Sequence, residues 1–110
     1  MQYATKFLQT LMTTTDSYKI TQPNMRNGII KICSYYEARK GSKFPTTKLF
    51  GLQELIIKFL MGPVPTLKEI DDAEKFFKIH FGADNVFDRK MWVKINQLGY
   101  FPLEIKAVPE

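Results

Sequence analysis

Two kinds of hydrophobic periodicity divide this chain, and together they constrain its fold more than any other feature. In residues 29–39 and 103–108, successive side chains alternate between two faces, with the period of a half-buried strand. Between them, residues 52–99 repeat apolar side chains every three or four positions, as an amphipathic helix does. Residues 46–50 fit a further short strand. This order predicts an α+β fold, with about three helices packed on one face of a small antiparallel or mixed sheet.

Start and stop signals divide the central region into three helices. The second helix has the best signal, because Thr66-Leu67-Lys68-Glu69 is a capping box. Apolar residues near helical spacing in residues 3–12 also predict a short helix or packed arm. The three helices are predicted to begin at Leu52, after Thr66 and after Asp88, and to end at Gly62, Gly82 and Gly99. Their buried stripes are predicted to be Leu52, Leu55, Ile56, Phe59 and Leu60; Leu67, Ile70, Ala73, Phe77 and Phe81; and Met91, Trp92, Ile95 and Leu98.

Composition bounds the class of protein without choosing its partner. With 110 residues, 45% apolar and 25% charged, residues 1–110 form an ordinary single globular domain. The formal charge of +5 suits anionic partners in general: phosphorylated small molecules, nucleic acid or a membrane surface. A single cysteine, Cys33, excludes an internal disulfide framework and favours a reducing, cytoplasmic setting. With one histidine as well, the chain lacks the ligands for a Cys/His zinc site.

A short polar segment, Thr15–Thr21, is the best candidate for a ligand-binding surface. It gathers an acid, hydroxyls, a phenol and an amine shortly before a proline. Asp16 offers a fixed polar group and Tyr18 an aromatic face, and both suit a flat heterocycle. The same spacing fits a structural alternative, in which Asp16 is a helix N-cap and Tyr18 is partly buried. Nothing in the sequence gives Lys19 a task.

A second candidate lies at the end of the first predicted strand. Arg39 precedes the turn Lys40-Gly41-Ser42-Lys43, and an arginine fork beside a glycine turn is a reasonable phosphate clamp. The alternative is a solvated basic turn, which is the commoner outcome for such clusters. His80 is interpreted as a helix-terminal packing or dipole-compensating group, and Cys33 has a poor case as a nucleophile. We therefore nominate no catalytic residue and no metal ligand in this chain.

Four segments, in the same order, resemble the N-terminal region of nicotinamide phosphoribosyltransferases, and they span nearly the whole chain. The resemblance implies the N-terminal domain of a type II phosphoribosyltransferase, without the catalytic α/β barrel domain. Enzymes of that family join nicotinamide to phosphoribosyl pyrophosphate, giving nicotinamide mononucleotide and pyrophosphate for NAD salvage, with Mg²⁺ and often ATP involved. A strand pattern that runs up to the C-terminus fits either a natural end or a truncated one, and the resemblance favours truncation. The segments are Thr15-Asp16-Ser17-Tyr18-Lys19, Ser34-Tyr35-Tyr36-Glu37-Ala38-Arg39, Phe50-Gly51-Leu52-Gln53 and Leu103-Glu104-Ile105-Lys106-Ala107-Val108-Pro109-Glu110.

The resemblance also implies roles for three residues. The family tyrosine that matches Tyr18 stacks on the nicotinamide ring from the neighbouring subunit, and the aspartate that matches Asp16 helps shape the same pocket. The arginine that matches Arg39 contacts phosphate groups of the phosphoribosyl substrate or product. One departure concerns Gln22-Pro23, which stand where the family usually has His and an aromatic residue. Nicotinamide, nicotinic acid and ribosylated relatives therefore stay open as substrates.

Two hypotheses of different classes follow. In the first, the chain contributes Asp16, Tyr18 and Arg39 across a homodimer interface of a phosphoribosyltransferase. It binds no cofactor and is inactive alone, because half of a composite site cannot clamp and stabilise the reacting groups. In the second, it is a non-catalytic stand-alone binding or assembly module derived from that family. A nucleic-acid binder rests on net charge alone, since the positive residues are scattered, and we expect neither nucleic acid nor membrane as a partner.

Overall fold

The computed structural model describes residues 10–25 and 28–110, and the regular structure in these ranges is helical. A 3₁₀ helix, Ser17–Met25, contains most of the Thr15–Thr21 segment. Helix α1, Leu52–Leu55, continues as one π-helical turn, Ile56–Leu60. Helices α2 and α3 follow, and they span Leu67–Phe81 and Arg89–Leu98. The helix or arm expected over residues 3–12 lies, apart from residues 10–12, outside the described residues.

The predicted sheet is wrong. Residues 29–38, 46–50 and 103–108, which the sequence predicts as extended, have no regular secondary structure, and no strand is formed in residues 10–25 and 28–110. A strand exists only where its backbone N–H and C=O groups meet those of a neighbour, and these segments meet none in the described chain. Their side chains consequently lie in solvent, with Ile30 100% and Tyr36 99% exposed. The observed fold is therefore helical and not α+β.

Local capping signals set the bounds of α2 and α3 as the sequence predicts. The backbone N–H of Glu69 donates to Thr66 Oγ1 at 3.1 Å, and that of Thr66 donates to Glu69 Oε2 at 3.2 Å. The Asp88 carboxylate accepts the backbone N–H three residues further on, also at 3.1 Å. Gly82 and Gly99 end the two helices in the left-handed conformation that glycine adopts without strain, with φ of 66° and 78°. Both capping predictions are confirmed.

Helix α1 begins at Leu52 as predicted but ends differently. The backbone N–H of Met61 donates to the Ile56 carbonyl at 2.9 Å, five residues back, which widens the last turn into a π-helix. Gly62 does not take up the left-handed conformation expected of a C-cap glycine, so that detail of the prediction is wrong. No residue from Leu52 to Leu60 is fully buried. The predicted stripe of α1 therefore covers no core in this structure.

The core forms where α2 meets the loop before α3 and the 3₁₀ helix. Ile70, Ala73 and Phe77 of α2 are buried on the predicted stripe, and the Phe77 ring stacks on Phe87 at 5.7 Å between centroids. Helix α3 contributes only partly buried side chains, chiefly Trp92, because it covers one edge of this cluster. Polar contacts also join α3 to α2 and the turn before it. The core cluster consists of Met12, Ile20, Ile70, Ala73, Phe77 and Phe87.

Candidate functional site

One buried side chain fixes which way the Thr15–Thr21 segment faces. Ile20 is 7% exposed and belongs to the core cluster, whereas Tyr18 is 61% exposed. In a 3₁₀ helix only residues three apart share a face, so burial of Ile20 turns its neighbours Tyr18 and Lys19 outward. The ring of Tyr18 is thus open to a ligand, whereas the structural alternative expected it to be partly buried.

The two predicted residues of this segment lie together around a lysine. Lys19 Nζ is 3.5 Å from Asp16 Oδ2 and 5.9 Å from the centroid of the Tyr18 ring. The backbone is tied as well: the Lys19 N–H donates to the Asp16 carbonyl at 3.0 Å, and the Thr21 hydroxyl donates to the Tyr18 carbonyl at 2.6 Å. The result is a compact acid, amine and phenol cluster on one exposed turn. Sequence reasoning assigned no role to Lys19, although its spacing of three residues from Asp16 predicts this contact.

Asn24 anchors the end of the 3₁₀ helix to the loop that follows α2. Its Nδ2 donates to the backbone carbonyls of Val86 at 3.0 Å and Asn85 at 3.3 Å. Asn85 adopts a left-handed φ of 65°, which asparagine tolerates better than most residues. No sequence signal predicts this anchor, since its partners lie 61 and 62 residues away.

A small cavity of about 230 Å³ lies beneath the Thr15–Thr21 segment. Its volume is below the roughly 300–1,000 Å³ usual for ligand pockets, so we assign it no ligand. Thr15, Lys19 and Asp88 bring polar groups to a lining that is otherwise apolar. The other lining residues are Leu11, Ile20, Pro23, Phe87, Met91 and Trp92.

A larger basin of about 620 Å³ lies where α2 ends and α3 begins. Most of its charged residues are paired with a charge of the opposite sign. Lys78 Nζ lies 3.0 Å from Asp84 Oδ1, and this hydrogen-bonded carboxylate raises the pKa of the Lys78 amine above its ordinary value. The Arg89 guanidinium contacts Asp71 and, at 3.9 Å, Glu74. These pairs satisfy most of the charges that line the basin, and Lys90 is the lining cation for which the described residues record no ion pair.

Arg39 stands apart from the acid, amine and phenol cluster. It opens a turn in which the Ser42 N–H donates to the Arg39 carbonyl at 3.2 Å and Gly41 has a left-handed φ of 83°. The side chain is exposed, and no carboxylate in residues 10–25 and 28–110 forms an ion pair with it. Among the described contacts none joins Arg39 to Asp16 or Tyr18. Of the three predicted site residues, Asp16 and Tyr18 therefore lie together, and Arg39 is a separate cation.

The remaining reactive side chains of the described residues are dispersed. Within the described ranges, no group of three His, Cys, Asp or Glu side chains is placed to hold a metal ion. Cys33 is exposed on the extended segment. His80 stacks on Phe76 at 5.8 Å and meets Phe81 edge-on at 4.9 Å, consistent with the packing role predicted for it. No helix in the described part of the chain is long and apolar enough to cross a membrane.

The described residues thus form a small helical domain that carries an exposed acid, amine and phenol cluster. The family model for the nicotinamide phosphoribosyltransferase N-terminal domain matches residues 10–105. The chain therefore belongs to the nicotinamide phosphoribosyltransferase family, and the family prediction is confirmed.

A curated relative supports the same assignment. The nicotinamide phosphoribosyltransferase of Xanthomonas campestris pv. campestris (strain 8004) is 31% identical to this chain over 106 residues. The match covers 94% of this chain but only 22% of that relative, so the chain spans about a fifth of the relative's length. No solved structure matches the chain.

Proposed function

We propose that this chain is the N-terminal domain of a nicotinamide phosphoribosyltransferase, a glycosyltransferase of NAD salvage. Such an enzyme joins nicotinamide to phosphoribosyl pyrophosphate and releases pyrophosphate. The observation that supports this proposal most is that Asp16 and Tyr18, which lie within the family match, are both exposed and both contact Lys19 at the start of an anchored helix. The reaction and its substrates belong to the proposal, because the chain spans only 22% of the curated relative.

In this proposal the Thr15–Thr21 segment contacts the pyridine and the Arg39 turn contacts phosphate. The exposed Tyr18 ring stacks on the flat heterocycle, an interaction worth roughly 0.5–1.5 kcal/mol between aromatic rings beyond the area it buries. Asp16 fixes the orientation of the ring's polar substituent. Arg39 has a planar fork that suits a phosphate, and the described chain gives it no competing carboxylate.

The separation of these contacts supports a site completed by other chain segments. One nucleotide product carries both a pyridine and a phosphate, yet the described contacts do not join Arg39 to Tyr18. A tyrosine exposed on a surface also covers only one face of a ring. We therefore place both groups at a homodimer interface, where a second subunit supplies the opposite wall. The cytoplasmic setting is part of the same proposal and rests on the single cysteine.

Mg²⁺, which the family implies together with ATP, finds no cluster of three metal-ligating side chains among the described residues. Mg²⁺ prefers carboxylate and phosphate oxygens, and this part of the chain gathers no three acidic or other metal-binding side chains. The residues present do not fit the ion, and no role of this chain is derived through it.

The test is a phosphoribosyltransferase assay on this chain alone and on this chain mixed with a barrel-domain chain from a relative. We expect mononucleotide only after mixing, since neither half holds the complete site. Tyr18→Phe should retain most of the activity of the mixture because it keeps the ring. Tyr18→Ala should weaken pyridine binding more than donor binding, and equal losses for both substrates would remove Tyr18 from the pyridine contact.

The second candidate function is a non-catalytic assembly module. Large apolar side chains in residues 28–50 lie in solvent, among them Tyr36 and Phe50 at 99% and 94% exposure, and such surface favours a partner protein. A folded chain that yields no product either alone or in the mixture would favour this candidate.

A further inference from the structure

Lys19 connects the two proposed pyridine contacts. Its ammonium group lies 3.5 Å from a carboxylate oxygen of Asp16 and 5.9 Å from the centre of the Tyr18 ring. One cation therefore attracts an anion on one side and the negative face of an aromatic ring on the other. No other lysine in the described residues is recorded with both a carboxylate and a ring.

We infer that Lys19 is a positioning residue that holds the Asp16 and Tyr18 side chains in the arrangement that receives the pyridine. This inference rests on the function proposed for the Thr15–Thr21 segment. Lys19 itself touches no substrate in this scheme. It restricts the rotamers of its two neighbours before the ligand arrives, so that less side-chain freedom is lost on binding.

Other contacts already hold the backbone of this turn, so Lys19 acts on the side chains of its neighbours and not on the backbone. The Thr21 hydroxyl holds the Tyr18 carbonyl at 2.6 Å, and Ile20 fixes the turn in the core. With the backbone fixed, rotation about the side-chain bonds of Asp16 and Tyr18 is the freedom that remains. Lys19 is placed to reduce it.

The size of the effect is set by exposure. The side chains of Lys19 and Asp16 are 49% and 65% exposed, so water and salt weaken their attraction. Only part of the energy of an exposed ion pair and an exposed cation–π contact is transmitted to the ligand, so we expect pyridine affinity to change about two- to fivefold. Raising the ionic strength should reduce the difference between wild type and variant.

The first experiment is NMR on this chain, with Lys19→Gln, Lys19→Arg and the control Lys78→Gln. The control removes the same charge and an exposed ion pair, that with Asp84 at 3.0 Å, away from the Thr15–Thr21 segment. We expect Lys19→Gln to shift the Tyr18 ring protons and the Asp16 carboxyl carbon, and Lys19→Arg to restore both. Lys78→Gln should leave them in place. Unchanged Tyr18 and Asp16 resonances in Lys19→Gln would overturn the inference.

The second experiment measures the KM for the pyridine in the mixture with the barrel-domain chain. Lys19→Gln should raise this KM about two- to fivefold with kcat and the donor KM unchanged, and Lys19→Arg should reverse the change. An equal rise in Lys78→Gln, or no rise in Lys19→Gln, would overturn the positioning role. If the wild-type mixture makes no product, the proposed function fails, and with it the pyridine-positioning role. The NMR result would then report only whether Lys19 orders its two neighbours.

Discussion

Arg39 is the residue whose proposed role can be tested with least disturbance to the fold. It is exposed, and its side chain forms no ion pair in the described chain. Arg39→Ala should weaken binding of phosphoribosyl pyrophosphate by about tenfold or more, since a hydrogen bond to a charged group contributes roughly 1.5–3 kcal/mol. Nicotinamide affinity should stay the same. Calorimetric titration of the reconstituted mixture measures both affinities.

The matched control for this prediction is Lys48→Ala. Lys48 lies on the same extended segment, is also exposed, and is outside the Arg39 turn. If the two variants lose the same donor affinity, the effect comes from the general charge of the segment. An unchanged donor affinity in Arg39→Ala would remove Arg39 from the site.

Residues of the candidate site were predictable where their chemistry is local. Asp16 and Tyr18 share one short polar segment, and the Asp16–Lys19 contact follows from a spacing of three residues. Asn24 was not predictable as an anchor, because its carbonyl partners lie in the loop after α2, far away in the sequence. Residue types can be read directly from a sequence, whereas contacts across 61 residues depend on how the helices pack.

At the scale of elements, the capping box of α2 gives a measurable contribution to stability. Thr66→Ala removes the hydroxyl that accepts the Glu69 N–H at 3.1 Å, and it should lower the free energy of unfolding by about 1 kcal/mol. Thr46→Ala is the control, because Thr46 is exposed on an extended segment. Urea denaturation followed by circular dichroism measures both variants. Equal midpoints for the two would show that the box contributes nothing.

The 3₁₀ helix should depend on its long-range anchor more than on its own sequence. Asn24→Ala removes two hydrogen bonds of 3.0 and 3.3 Å to the loop after α2. We expect amide exchange within Ser17–Met25 to accelerate by up to about tenfold, since an exposed hydrogen bond contributes roughly 0.5–1.5 kcal/mol. Asn96→Ala provides the contrast, because Asn96 donates to the Pro65 carbonyl at 2.8 Å and ties α3 to the turn before α2. Faster exchange of the 3₁₀ helix in Asn96→Ala alone would contradict the anchor.

Helices and strands differed in how far they could be predicted, for a physical reason. The helical hydrogen bonds of α2 join residues that are close in the sequence, so its cap, its stripe and its terminal glycine can be predicted from neighbouring residues. The alternation in residues 29–39 and 103–108 states only which side chains share a face. A sheet also needs a neighbouring strand, and the described chain brings none to either segment.

Across the whole molecule, charge and burial are divided between different parts of the chain. Residues 28–50 contain five Lys or Arg and one Glu, whereas residues 51–110 contain eight cationic and nine acidic residues. The segment that carries most of the +5 net charge is also the least buried of the described chain, since all its residues except Leu49 are exposed. Mutual repulsion of these cations opposes collapse onto the helices. The segment is therefore available to an anionic ligand or a partner surface.

This division predicts the course of limited digestion with trypsin. The first cuts should fall after the Lys and Arg residues of residues 28–50, such as Arg39, and after Lys106, because these residues are exposed and lie outside any helix. Lysines within α2 are cut only after local unfolding, so a fragment containing α2 and α3 should persist. Mass spectrometry of timed samples identifies the order of cuts. Early cleavage inside α2, before the extended segments, would contradict the division.

In the same digestion, a core variant distinguishes cuts that need only an exposed site from cuts that need unfolding. Phe77 is 3% exposed, and Phe77→Ala should cost about 3–5 kcal/mol. Cuts within α2 should then appear earlier, while the rate of cutting at Arg39 stays unchanged because that site needs no unfolding. Adding the barrel-domain chain, in contrast, should protect this chain from digestion. Protection at Arg39 without protection of α2 would show that the partner covers the extended segment, whereas uniform protection would mean that it only stabilises the fold as a whole.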